Sequence, residues 1–274
     1  MPSATKLRQL LALLSLQGDR MVTVSMLMEE LWGESPPKSA SSILQTYVLQ
    51  LRRKIAWAIG HNDERRAKDV LVTQQGGYLL RVGAEHLDWL RFDRFAEAGR
   101  TAAESGDHRL ASHYFTRGLT LWRGPALVDV RVGNVLQFDA LRMNESRMSV
   151  LQQRICADLH IGRHAALVPE LKVLVAQNPL NENLCAQLMV ALQGTGCSWR
   201  ALRAYQNLRD ALARELGLEP SALVKEIHHA VLVGEPAQKR LNRHDGALSG
   251  PPPVTANRWG ATPRADLPFS VTTR

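Results

Sequence analysis

A chain of 274 residues with a formal net charge of +8 is long enough for two domains with real cores. Cys156, Cys185 and Cys197 lie far apart with no CxxC pair, which argues against a disulfide framework or a zinc site and for buried free thiols in a reducing compartment. No cationic-then-apolar leader and no run of 18 apolar residues occurs, so a cytosolic chain with no membrane span is expected.

The charge is unevenly placed. The positive excess is three over residues 1–87, two over 88–234 and three over 235–274, so a polyanion is expected to meet the ends rather than the nearly neutral middle. Lys6–Gln17 is a Leu-rich helix pattern closed by Gly18. Met21–Val24 is β-prone, Ser25 is a candidate N-cap for a helix over Met26–Trp32, and Gly33 is its stop. Pro36-Pro37 forces an extended turn. The stretch Lys38–Trp57 then reads as a helix with Leu44, Val48, Leu51 and Ile55 on one apolar stripe. At about 100° per residue, Ser42, Thr46, Leu49 and Arg53 fall on the opposite face, flanked by Gln45, Gln50 and Arg52, and the stretch holds no acidic residue. Gln and Arg read base edges, Leu touches a thymine methyl, and Ser and Thr reach phosphates. A basic surface helix that touches nothing is the competing reading of this stretch alone.

Gly60–Asp69 is polar and charged and is expected to be a mobile loop. Val70–Gln74 and Tyr78–Val82, separated by Gly76-Gly77, form a hairpin pattern. A basic helix followed by a hairpin is the order of a winged helix-turn-helix, in which the helix enters the major groove and the wing meets the backbone or minor groove. From Asp88 the pattern is helical throughout: Asp88–Glu104, His108–Trp122, Leu136–Ile161, Ala165–Gln177, Glu182–Gln193, Trp199–Leu216 and Ser221–Val233. The short turns and the small-plus-aromatic spacing of Ala201 with Tyr205, and of Ala111 with Tyr114-Phe115, resemble tetratricopeptide units. An ordinary helical bundle is the plainer alternative. Glu235–Arg274, rich in Pro, Gly, Ser, Thr and Arg, is expected to be a disordered basic tail. The fold class expected is mostly α: a winged helix-turn-helix with a small β wing over 1–87, an all-helical tetratricopeptide-like domain over 88–234, and the tail over 235–274.

No catalytic constellation is present. The chain has no P-loop, GxGxxG, HExxH or GxSxG, and His228-His229 point about 100° apart on a helix and do not form an i, i+4 metal pair. Neither an enzyme nor a cofactor is expected.

Several phrases resemble the Streptomyces antibiotic regulatory proteins: KLRQLLALL at 6–14, ELWGESPPKSA at 30–40, LQTYVLQLRRKI at 44–55 and VLVTQQGGYLLRV at 70–82. LTLWRGPALVDV at 119–130, ADLHIGRHAALVPEL at 157–171, NPLNENLCAQLMVAL at 178–192 and ELGLEPSALVKEIHHAVL at 215–232 continue the match in order, and it is strongest to the short members without an ATPase module. The resemblance implies a winged helix of the response-regulator effector type and a bacterial transcriptional activation domain. It implies a pathway-specific activator of an antibiotic or secondary-metabolite cluster that binds promoter direct repeats and contacts RNA polymerase and its sigma factor. It also implies a β-sheet formed by a segment ahead of the first helix. Met1 stands only a few residues before Lys6, so either the true start lies upstream or the protein is shortened; if shortened, the face of Leu7–Leu14 that would rest on that sheet is expected to be exposed.

The resulting expectation is a cytoplasmic, nucleoid-associated activator bound to double-stranded DNA as a homodimer. Half-sites about 10–11 bp apart would put both helices on one face of the duplex. Arg52, Lys54 and wing amides are expected at phosphates, with Ser42 and Gln45 nearby. Thr46, Leu49, Gln50 and Arg53 are expected at base edges, and Thr73, Gln74 and Tyr78 on the wing. The rival is a helical-repeat scaffold whose winged helix does not bind DNA.

Overall fold

The computed structural model describes residues 4–59 and 63–244. The first helix, α1 (Ala4–Gln17), buries Leu7, Leu10, Leu13 and Leu14, the last three completely. The face expected to be exposed is therefore mostly covered, with Leu11, 38% exposed, the leucine left outside. The buried leucines pack against the following helices, the sheet, and residues Leu127, Val130, Val135 and Leu136 arriving from far along the chain. After β1 (Met21–Thr23), α2 (Val24–Trp32) is capped by Thr23, whose hydroxyl accepts from the Met26 amide at 3.3 Å. The cap is thus Thr23, two residues before the expected Ser25, because Val24 and Ser25 already lie in the helix.

The helix α3 (Ala40–Ala58) buries Leu44, Tyr47, Val48 and Leu51, with Tyr47 stacked on Trp32 at 6.3 Å between ring centroids. Next comes α4 (Glu64–Val70), where a loop was expected; Gly60–Asn62 lie outside the described residues. The Asp63 carboxylate accepts from the Arg65 and Arg66 amides at 2.9 and 3.2 Å, and Ala67 is fully buried, so one cap and one small apolar contact hold this charged turn. Strands β2 (Leu71–Gln74) and β3 (Gly77–Leu80) form the hairpin, and β1 pairs with β3, giving an antiparallel sheet in the order β1-β3-β2. Gln74 pairs with Gly77, so the turn consists of Gln75 and Gly76, not of the two glycines. Gly77 is required for another reason: a Cβ there would lie 2.3 Å from the Val22 carbonyl oxygen.

The helical part comprises α5 (Asp88–Glu104), α6 (His108–Leu119), α7 (Leu136–His160), α8 (His164–Gln177), α9 (Glu182–Gly194), α10 (Ser198–Leu216), α11 (Ala222–Val233) and α12 (Gln238–His244). Side-chain caps from Asp107 and Asn181 start α6 and α9, and left-handed Gly217 and Gly234 end α10 and α11. Helix α5 packs on α6 through Gly99, where a Cβ would meet the Phe115 ring at 2.4 Å. The larger core surrounds α9, which is buried from Leu184 to Leu192. Its one polar residue there, Gln187, donates from Nε2 to the Gln152 carbonyl oxygen at 2.9 Å. Cys156 and Cys185 are buried and Cys197 half-buried, none of them in a disulfide, and burial pushes the Cys185 thiol up to about 12, with Glu182 adding to it. The segment expected as a tail begins with structure: Ala237 and Leu241 are fully buried in this core, and Gln193 grips the Glu235 carbonyl and the Ala237 amide. Residues 245–274 lie outside the described residues.

The two parts are joined by a buried carboxylate. Glu30 on α2 is 2% exposed, and its Oε1 accepts from the Gly133 amide at 2.6 Å and Gln9 Nε2 at 2.7 Å. Its Oε2 accepts from the Val135 and Leu136 amides at 3.0 and 2.8 Å, at the start of α7. Beside it the Lys6 ammonium donates to the Leu31 carbonyl oxygen, and burial followed by Arg131 lowers its pKa while Glu30 opposes them.

Glu30→Ala would strand three backbone amides and the Gln9 amide, so a loss on the order of 3 kcal/mol is expected in thermal or denaturant unfolding. The matching sign is that protease cuts appear between residues 120 and 135. A second expectation concerns Asp93, whose carboxyl is raised to about 6 by burial, against opposing Arg142 and Arg100. A raised carboxyl contributes stability at acid pH that is lost as pH rises through about 6. Asp93→Asn should therefore raise the melting temperature at pH 8 and lose that advantage toward pH 4, as pH-dependent melting curves would record.

Candidate nucleic-acid interface

The stripe of α3 that enters the core determines what the opposite face presents. With Leu44, Val48 and Leu51 inside, Ser42, Gln45, Thr46, Leu49, Arg53 and Lys54 are exposed and Gln50 is half-buried. Leu49 is 44% exposed, a large apolar side chain in water on a face without carboxylates. The Thr46 hydroxyl donates to the Ser42 carbonyl oxygen at 2.9 Å, leaving its methyl and remaining lone pairs outward. Exposed Lys38 and Ser41 extend the polar surface at the start of the helix.

Arg52 has a different use from its neighbour. Its Nε and Nη2 donate to the Leu71 carbonyl oxygen at 3.0 and 2.7 Å, and Nη2 also donates to the Thr73 hydroxyl at 2.8 Å. The guanidinium of Arg52, expected at a phosphate, thus ties α3 to β2: two of its three nitrogens hold the hairpin. Thr73 and Gln74 are exposed on β2 as expected, Thr73 with its hydroxyl engaged by Arg52. Tyr78 also needs correction. It lies on the central strand, paired with Val22 on one side and Thr73 on the other, and at 9% exposure its ring belongs to the core. Periodicity did not reveal this because β3 is buried at all four positions, as a central strand is, rather than at alternate ones.

Two features escaped the sequence reading. Gln75 is exposed at the hairpin tip, in the two-residue turn between paired Gln74 and Gly77. The helix α4 adds exposed Arg65, Arg66 and Lys68 beside α3, Arg66 lying 3.8 Å from Asp63. Charge runs in a supposed loop concealed them. Among the described residues no helix is long and apolar enough to cross a membrane.

A three-stranded sheet with four helices, among them an acid-free exposed helix ahead of a hairpin, defines a winged-helix DNA-binding module, here joined to a helical domain. That is the build of a bacterial transcriptional regulator. Residues 2–80 match the family described as transcriptional regulatory protein, C terminal, and residues 87–232 match the bacterial transcriptional activator domain. The chain is 48% identical over 239 residues to the regulatory protein DnrI of Streptomyces peucetius, covering 87% of this chain and 88% of DnrI. It is 35% identical over 240 residues to the transcriptional regulator RedD of Streptomyces coelicolor, covering 86% of this chain and 66% of RedD. The solved structure of Mycobacterium tuberculosis EmbR in complex with a low-affinity phosphopeptide superposes with a TM-score of 0.82 at 29% identity, over 89% of this chain and 64% of that one. The chain belongs to the Streptomyces antibiotic regulatory protein family, whose members are transcriptional activators.

Adjacent arginines should separate in stability. Arg52→Ala is expected to lower the melting temperature by freeing the Leu71 carbonyl and loosening β2, a cost of about 1.5–3 kcal/mol. Arg53→Ala, fully outward, should leave it within about 0.5 kcal/mol in the same unfolding assay.

Proposed function

We propose that this protein is a pathway-specific activator of an antibiotic or other secondary-metabolite gene cluster, binding promoter direct repeats as two copies. In this reading residues 1–87 bind DNA and 88–234 engage RNA polymerase and its sigma factor, with the Ala237–Leu241 segment completing the helical core. The protein acts in the cytoplasm at the nucleoid. The observation that carries the proposal is the outward face of α3, where Gln45, Thr46, Leu49 and Arg53 stand together with no carboxylate while Arg52 holds the hairpin alongside. A helix that served only packing would gain nothing from such a face.

Base-edge contacts fall to Thr46, Leu49, Gln50 and Arg53. Ser42, Gln45 and Lys54 are assigned to phosphates and register, and Gln74 and Gln75 to the wing's contact with the flanking backbone. Two copies on repeats about one turn apart would place both α3 helices on one side of the duplex.

The test is a footprint of the full chain at physiological salt on the promoters flanking its own gene. Protection of two direct repeats is expected. Arg53→Ala should weaken specific sites by roughly 1–3 kcal/mol and blur one base position, whereas Lys54→Ala should weaken all sequences alike and reduce the salt slope by about 1. Absence of protection would overturn the DNA reading in favour of a scaffold, and full activation in vitro after deleting residues 88–234 would remove the polymerase contact.

A further inference from the structure

The helical domain carries a groove of about 480 Å³, built from residues of α8, α9, α10 and the turn between α8 and α9. Its volume is in the range of about 300–1,000 Å³ typical of clefts that hold ligands. Val175, Leu188, Leu192 and Leu208 form an apolar floor. Trp199 stands on the wall and is 61% exposed, although Trp is among the residues that most often anchor a partner when buried. The Arg200 guanidinium lies over the Trp199 ring at 5.2 Å from its centroid.

Around this floor stand Lys172, Arg200 and Arg203, all exposed, and no carboxylate lines the groove. None of the three takes part in an ion pair among the described residues, whereas Arg209 and Arg214 further along α10 each lie beside an acid. In a domain whose charges otherwise nearly cancel, three unpaired cations around one apolar cleft make a local positive site. Residues 235–274 carry a positive excess of three, so charge disfavours this chain's own C-terminal stretch as the occupant.

We propose that this groove docks an acidic amphipathic helix of a partner protein. Apolar side chains spaced i, i+3, i+4 and i+7 would fill the floor beside Trp199, and carboxylates on the flanks would meet Lys172, Arg200 and Arg203. The partner's role in transcription rests on the activator reading; the docking chemistry does not.

The probe is a fluorescein-labelled peptide of about 15 residues with Leu and Phe at that spacing and Glu or Asp elsewhere, long enough to hold a helix on the surface. Its anisotropy is followed against the full chain at low and physiological salt. Saturable, salt-weakened binding is expected, with roughly tenfold loss in Lys172→Glu/Arg203→Glu and in Trp199→Ala. Both variants should keep the wild-type gel shift on DNA, which separates failure of the groove from failure of the DNA reading. Equal binding of a peptide with Lys in place of its acids, or unchanged binding by the variants, would overturn the proposal. So would sedimentation showing that the charge reversal dissociates a dimer, since the groove would then hold a second copy.

Discussion

The arrangement of the two parts depends on one carboxylate. Glu30 is removed from water, which for an ion is costly unless every oxygen is matched. Here each oxygen has two donors, and three of the four are backbone amides at the start of α7. Free amides at the start of a 25-residue helix carry the positive end of its dipole, so an anion is favoured there twice over. Gly133 permits the approach, since a Cβ at that position would lie 2.3 Å from the Glu30 carbonyl oxygen. Leu136, the next step along, is fully buried among the leucines of α1 and α2. The long helix that opens the second half of the chain is thereby seated on the winged helix, and what α7 carries is held in a definite relation to α3.

Arg52 and Arg53 show how position changes the work of one side chain. Both sit on α3, one residue and about 100° apart. Arg52 faces the C-terminal end of α4 and the start of β2, where the Leu71 carbonyl would otherwise lack an equally strong donor, and it takes up a structural hydrogen bond. Arg53 faces solvent and stays available. The exposed helix and the hairpin are consequently one unit, because the residue between them is bonded to both.

Much of this was legible beforehand. The helix expected over Asp88–Glu104 occupies those residues, and the α3 stripe of Leu44, Val48 and Leu51 is the buried one. Such elements have a strong period and clear punctuation. Misreadings came where local composition and tertiary contact disagreed. Glu64–Val70 looked like a loop because it is charged, yet the Asp63 cap and buried Ala67 make it a helix. Gln238–His244 looked like a tail, but Ala237 and Leu241 find a core built by residues far earlier in the chain. Tyr78 looked like a wing contact, though pairing on both edges of β3 puts it inside.

By itself the sequence determined the order of elements, the winged-helix pattern, the acid-free face of α3 and the family, because these rest on periods and phrases local in the chain. Only the tertiary structure decided that Leu7, Leu10, Leu13 and Leu14 are covered, that Arg52 ties α3 to β2, and that Glu30 receives the start of α7. Each of those depends on groups distant in the chain meeting in space, 19 residues apart for Arg52 with Leu71 and 106 for Glu30 with Leu136. A polar or apolar side chain announces that it needs a partner, but nothing in its immediate neighbours states which distant group will supply one.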